Sequence, residues 1–194
     1  MAKDDKTKSR ESRNLPISRI IGWTAGVLAL VLLIVVIIQG TLTETTAGIP
    51  EGTQVFQITE QFHVDGRIYD DDEVPPGGNH SAVWANCGFY DTPVQAENVL
   101  HSLEHGAVWL TYQPDSITED DLDRIEDLAS PVEKVLVSPV PGQGSPLMAT
   151  AWGVQLELQS TEDPRLDQFV AEFAGSLNAP EPGGTCSGGV GNPG

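Results

Sequence analysis

The sequence predicts a mixed α/β domain, a small mixed sheet flanked by helices, preceded by one N-terminal transmembrane helix. After residue 53, strand-like and helical segments alternate in the order βαβαββα. A strand–helix–strand unit implies parallel pairing with a right-handed crossover, whereas the short link into the last strand implies an antiparallel partner. Thioredoxin-like folds have the same order, but the chain lacks Cys-x-x-Cys, so this likeness concerns topology alone.

The transmembrane helix is predicted from residues 20–38, which contain no charged residue. Their number is close to the ~20 apolar residues that cross a bilayer. The long apolar core favours a retained signal anchor over a cleaved signal peptide. Six basic residues precede Ile20 and predict a cytoplasmic N-terminus. We therefore expect a single-pass protein of the cell membrane.

This topology divides the chain into four predicted parts. Residues 1–19 form a basic cytoplasmic tail and residues 20–38 the membrane helix. Residues 39–52 are rich in Thr, Gly and Pro and predict a linker. Residues 53–190 form the extracytoplasmic domain. The formal net charge is −18, which excludes nucleic acid as a partner of that domain and favours cations.

The predicted elements of the domain follow from periodicity and from Pro and Gly positions. Pro93 suits a first helical position, and Gly106 suits the left-handed residue after a helix end. The elements are a strand at 53–58, a helix from 93 to 105, a strand at 107–112, a helix at 119–129, strands at 134–137 and 148–158, and a helix from 164 to about 177.

The four histidines of the chain predict a metal site. His101 and His105 lie four residues apart on one helix face, where two side chains can bind one ion. His80 follows a Pro/Gly-rich loop and completes the expected ligand set, with His63 or Met148 as a further ligand. The alternative is that the histidines cap the helix end and form structural hydrogen bonds.

The ligand types favour copper, with zinc as the alternative. Imidazole suits both metals, and the thioether of Met148 would favour copper(I). Glu97 lies one turn before His101, and Glu104 is adjacent to His105. We expect these two carboxylates to orient the imidazole rings by hydrogen bonds.

Two other functions are compatible with the sequence. One is a non-catalytic accessory subunit of a membrane complex, in which the histidines are structural. The other is a zinc peptidase, because His-x-x-Glu-His is also an inverted zinc-peptidase motif with Glu104 as general base. That chemistry requires a longer helix than one ending at Gly106. The sequence does not decide whether the protein is an enzyme, and it favours a non-catalytic role.

Cys87 and Cys186 are the two cysteines of the chain. Outside the cytoplasm, paired cysteines normally oxidise. We therefore expect a disulfide that fastens the C-terminal tail to the loop after His80. Its large loop would contribute on the order of 3–5 kcal/mol in the chain-entropy treatment.

The domain contains several distinctive motifs, which are Pro75-Pro-Gly-Gly-Asn-His80, Trp84, Gly88-Phe-Tyr90, Val99-Leu-His-Ser-Leu-Glu-His-Gly-Ala-Val108, Ala151-Trp-Gly153 and Ala179-Pro-Glu181. They resemble those of the bacterial domain-of-unknown-function 3105 family, over about residues 53–190. The resemblance implies an anchored extracytoplasmic protein and implies no activity. The His80 loop departs from the family pattern in having Gly77 where Ser or Thr is more usual.

Overall fold

The computed structural model describes residues 30–31 and 48–194. Apart from Leu30 and Val31, the predicted transmembrane helix lies outside these residues, as do the predicted cytoplasmic tail and most of the linker. Within the described part, no helix is both long and apolar enough to cross a membrane. Residues 48–194 belong to one compact unit.

One six-stranded mixed sheet and three helices make up this unit. The strands are β1 (Gln54–Val55), β2 (Gly88–Phe89), β3 (Val108–Tyr112), β4 (Val135–Pro139), β5 (Leu147–Ala151) and β6 (Val154–Leu158). The helices are α1 (Ala96–Glu104), α2 (Glu119–Leu128) and α3 (Pro164–Phe173), with a 3₁₀ turn at Pro114–Ser116. The predicted mixed α/β class is confirmed.

The sheet order is β1-β6-β5-β3-β4-β2. β4 is parallel to β3 and β2, whereas β5 is antiparallel to β3 and β6. The parallel pairing of β3 with β4 across α2 and the antiparallel pairing of β5 with β3 are both as predicted. The thioredoxin-like topology stays a prediction.

Three details of the predicted order are wrong. Residues 148–158 form the β5–β6 hairpin instead of one strand, because the backbone turns at Trp152-Gly153. The first strand is short and pairs antiparallel with β6 at the sheet edge instead of parallel with β3. β2 is an additional two-residue strand that the sequence pattern did not reveal.

Both faces of the sheet are covered, because side chains alternate along each strand. Val108 and Leu110 face the core under α2 and α3, whereas Trp109 faces the core under α1. Leu100 and Leu103 of α1 are fully buried in the second core. Each such leucine contributes about 1.5–3 kcal/mol, so α1 is held firmly against the sheet.

The C-terminus of α1 is fixed by backbone hydrogen bonds. Gly106 has φ of 91°, and its N–H donates to the carbonyl of Leu103, while Ala107 N–H donates to Ser102. These two bonds form a Schellman motif and confirm the predicted glycine stop. The predicted start at Pro93 is wrong, because α1 begins at Ala96 and the first helical bonds end on the carbonyl of Gln95.

A carboxylate joins α2 to the segment before α3. Asp121 forms a capping box with Thr118 at the start of α2 and also accepts hydrogen bonds from the hydroxyl and backbone N–H of Thr161. The hydrogen bonds from Thr161 and Thr118 lower the pKa of Asp121 from 3.8 to about 2.

We predict that Asp121→Asn lowers the free energy of unfolding at neutral pH by about 1 kcal/mol through loss of the capping box. A carboxylate whose folded pKa is depressed stabilises the fold above its unfolded pKa, and this contribution disappears as pH falls through the folded value. The variant should therefore lose less stability than the wild type between pH 3.8 and about 2. Urea unfolding across this range measures both effects. The control is Asp120→Asn, and equal losses in the two variants would contradict the assignment.

Candidate metal centre

The structure brings all four histidine rings together. The ring centroids of His101 and His105 are 4.6 Å apart, and those of His63 and His101 are 5.0 Å apart and stacked. His80 lies 4.9 Å from His63 and 5.3 Å from His101. His80, His101 and His105 are buried, whereas the side chain of His63 is 48% exposed. The predicted cluster of histidines is therefore present.

Two loops position His63 and His80 side by side. The backbones of these residues form an isolated parallel bridge, in which Val64 N–H donates to the carbonyl of His80 and His80 N–H donates to Phe62. The carbonyl of Glu97 in α1 accepts a hydrogen bond from Ser81 N–H and ties this pair to the helix. The two loop histidines consequently lie against the helix that carries His101.

The C-terminal tail forms the other side of the cluster. The predicted disulfide between Cys87 and Cys186 is present. Near it, Glu181 N–H donates to the carbonyl of Glu104, and Val190 forms a parallel bridge with Ala85. The tail is therefore a folded part of the domain and contacts the end of α1.

The tail also contacts His105 closely. A Cβ atom at Gly184 would overlap the His105 ring, so only a glycine lets the backbone lie at this distance. Trp84 contacts both helix histidines, with its ring centroid 5.7 Å from His101 and 5.3 Å from His105, and donates its indole N–H to Ser187. The cluster is thus enclosed by α1, the His80 loop and the tail.

Three of the histidines use the same ring nitrogen, Nδ1, for a hydrogen bond to a backbone carbonyl. Nδ1 of His80, His101 and His105 lies 2.8, 2.8 and 2.7 Å from the carbonyl oxygens of Gly78, Ser81 and Thr185, respectively. A carbonyl oxygen can only accept, so Nδ1 carries the proton and donates in each case. This leaves Nε2 of His101 and His105 with lone pairs available for an ion.

His80 differs because its Nε2 also has a partner. Oε2 of Glu104 lies 2.9 Å from this atom and 4.0 Å from Nε2 of His63. The Nδ1 proton of His80 is donated to the Gly78 carbonyl, so the hydrogen bond between Nε2 and the Glu104 carboxyl requires a second proton. A metal ion bound at Nε2 would take the place of that proton.

Burial lowers the pKa of His101 below its ordinary value of 6.5. The carbonyl of Ser81 opposes this effect, and the neighbouring His105, His80 and His63 lower the pKa further. The lowered pKa favours the neutral imidazole, which is the form that binds metal ions.

The possible ligand atoms form two groups that share His101. His63, His80 and His101 make one group, and His101, His105 and Glu181 make the other, each with its ligand atoms within 4.8 Å of one another. The expected combination of His80, His101 and His105 on one ion is neither of these two groups, and it stays a prediction.

Two predicted site residues lie elsewhere than expected. Glu97 is buried, but its Oε1 accepts backbone hydrogen bonds from Ile68 and Tyr69, and the His101 ring is oriented by Ser81 instead. The predicted orienting role of Glu97 is therefore wrong. Met148 is buried in β5 between Thr111 and Glu157 of the adjacent strands, and its role as a ligand stays a prediction.

The Glu104 carboxyl is hydrogen-bonded to the ring of His80 and not to that of its neighbour His105, and its role in metal binding stays a prediction. This contact bears on the peptidase hypothesis. A general base needs a carboxylate directed at substrate water, whereas the Glu104 carboxyl is buried and bonded to His80. The helix also ends at Glu104.

Sequence reasoning missed Glu181, whose Oε2 lies 3.7 Å from Nε2 of His105. The predicted disulfide could have indicated this contact, because a Cys87–Cys186 bond places the residues just before Cys186 near the loop that carries His80. The Pro/Gly-rich composition around Glu181 instead indicated an unstructured tail.

This arrangement defines an α/β domain with a buried histidine cluster at the end of one helix. The family described as protein of unknown function (DUF3105) matches residues 63–188, which contain the whole cluster. The chain belongs to this family. No curated protein and no solved structure matches the chain.

The contacts of Glu97 give a testable prediction. Burial alone would raise the pKa of Glu97. Two backbone N–H groups that donate to its carboxylate, together with Arg67, lower the pKa instead. Both groups donate to the same oxygen, Oε1, and the oxygen of a neutral amide is a weaker acceptor than that of a carboxylate. Glu97→Gln should therefore reduce the free energy of unfolding by about 1–2 kcal/mol, the difference between hydrogen bonds to charged and to neutral acceptors.

The same variant should leave metal affinity unchanged, since Ser81 orients His101. Thermal unfolding and calorimetric metal titration measure the two quantities, with the exposed Glu133→Gln as control. An affinity loss of roughly 10-fold or more at unchanged stability would restore the orienting role of Glu97.

Proposed function

We propose that the protein is a membrane-anchored extracytoplasmic protein that binds one transition-metal ion through its histidine cluster. The observation that carries this proposal is a hydrogen-bonding pattern shared by His80, His101 and His105. Each of them donates Nδ1–H to a backbone carbonyl. Metal-binding histidines are usually held in this way, which leaves Nε2 for the ion; at His80 the ion would replace the hydrogen bond to Glu104.

Copper is the favoured ion and zinc the alternative. Imidazole ligands suit both, and an extracytoplasmic location is consistent with copper handling. The neutral state of buried His101 supports metal binding at physiological pH. The indoles of Trp84 and Trp152 contact the cluster and limit the access of water to the ligand atoms.

The test is a calorimetric titration of copper and zinc into residues 48–194. His101 belongs to both groups of ligand atoms, so His101→Ala should weaken binding by at least roughly 100-fold, the upper end of what an outer partner of a ligand contributes. Melting temperature and an intact disulfide establish that the variant is folded. Equally weak binding by the folded variant and the wild type would refute the proposal.

The second candidate is a non-catalytic accessory subunit of a membrane complex with structural histidines. One observation favours it, because both ring nitrogens of His80 already have protein partners, Gly78 and Glu104. A fully buried histidine with both nitrogens satisfied needs no ion. A wild-type domain that fails to bind copper and zinc would favour this candidate.

The membrane anchor is also a proposal, supported by the uncharged apolar run at residues 20–38 and by the preceding basic residues. We predict that the full chain stays in the membrane fraction after an alkaline carbonate wash, whereas residues 48–194 are released. Protease added to intact spheroplasts should digest the domain of the full chain. Release of the full chain by carbonate would contradict the anchor, and protection from protease would contradict the orientation.

A further inference from the structure

We propose that the cluster contains two alternative positions for one metal ion, and that the ion moves between them while bound to His101. The loop position consists of His63, His80 and His101, and the tail position consists of His101, His105 and Glu181. This inference rests on the proposed metal-binding function. It adds where the ion binds and how it moves between the two positions.

The two positions exclude each other because they share one ligand atom. Nδ1 of His101 donates to the carbonyl of Ser81 at 2.8 Å, so only Nε2 has a free lone pair. One lone pair binds one ion. The domain should therefore hold a single ion, which occupies either the loop position or the tail position.

Each position has one ligand that solvent can reach. The side chain of His63 is 48% exposed in the loop position, and that of Glu181 is 59% exposed in the tail position, whereas His80, His101 and His105 are buried. An ion can thus bind first to the exposed ligand on one side and leave by the exposed ligand on the other. Exchange of the other ligands around His101 transfers the ion without releasing it to water.

The positions also differ in their ligand types. The loop position offers three imidazoles, of which His80 must exchange its hydrogen bond to Glu104 for the ion, whereas the tail position replaces one imidazole by a carboxylate. Nitrogen and oxygen ligands give copper(II) different spectra and different affinities. An ion in the loop position can therefore be distinguished from one in the tail position.

The tail position depends on the disulfide, and the loop position does not. The tail supplies the Glu181 carboxylate and also the Thr185 carbonyl that orients His105. Cys186 is the residue after Thr185, and its bond to Cys87 fastens this segment to the body of the domain. His63 and His80 are held instead by their own backbone bridge and by α1.

The experiment measures copper(II) binding to residues 48–194 by calorimetry and by electron paramagnetic resonance. The variants are His63→Ala, which disables the loop position, Glu181→Gln, which disables the tail position, and the double variant. Glu133→Gln is the matched control for the carboxylate change. We expect the wild type to bind one ion, and each single variant to bind one ion with a loss of about 10-fold or less and a spectrum different from that of the other.

The double variant should lose binding by at least roughly 100-fold, because neither position then retains three ligands. A Cys87→Ser/Cys186→Ser variant should give the spectrum of Glu181→Gln, since both lack the tail position. Melting temperatures show whether each variant is folded, and the Glu181→Gln comparison stands even if the cysteine variant unfolds.

Three results would overturn the inference. Binding of two ions by the wild type would show that the positions are independent. Loss of all binding in one single variant would show a single site. A Glu181→Gln variant identical to wild type and to Glu133→Gln would show that the tail position is absent. In all three the wild type binds copper, whereas failure of the proposed function appears as a wild type that does not bind.

Discussion

The structure around the cluster depends on the hydrogen bonds that buried imidazoles require. A buried N–H without an acceptor costs on the order of 1–3 kcal/mol, so each buried histidine needs a hydrogen-bond acceptor next to its ring. His80, His101 and His105 each use a backbone carbonyl, from Gly78, Ser81 and Thr185. The bonds from His101 to Ser81 and from His105 to Thr185 thereby fix two irregular segments, the His80 loop and the tail, against one short helix.

These bonds also explain why regular structure is sparse near the cluster. A carbonyl inside a helix or a sheet already accepts a backbone hydrogen bond, whereas carbonyls of irregular segments are free to accept from side chains. The helix contributes the positions of His101 and His105 and the exact end at Gly106. The loops and the tail contribute the acceptors. The ligand atoms are consequently oriented by the backbone, which moves less than long side chains do.

Much of the fold could be predicted from the sequence because its signals are local. Gly106 predicted the end of α1, and the spacing of apolar residues predicted α2 and α3. The β5–β6 hairpin and the pairing of β1 could not be predicted, since they depend on a two-residue turn and on an edge contact between distant segments. The convergence of the histidines followed from helical spacing and from the His80 loop.

The details of the site could be predicted less well, because long-range contacts determine them. Glu97 lies one turn before His101, and helical spacing alone assigned it to that ring. The backbone N–H groups of Ile68 and Tyr69 reach its carboxylate from a distant segment instead. Glu181 was missed for the same reason, as it reaches His105 only through the fold of the tail.

The contact between Gly184 and the His105 ring has a consequence for how the tail tolerates sequence change. Residues 179–194 have the composition of a flexible linker, and such segments normally accept almost any small or polar residue. Here any side chain at position 184 would meet the imidazole ring, and any side chain at position 189 would meet the Trp84 carbonyl. The glycines therefore act as spacers that set the distance between tail and helix. At these two positions, a segment with the composition of a linker is thus as restricted in sequence as the core of the sheet.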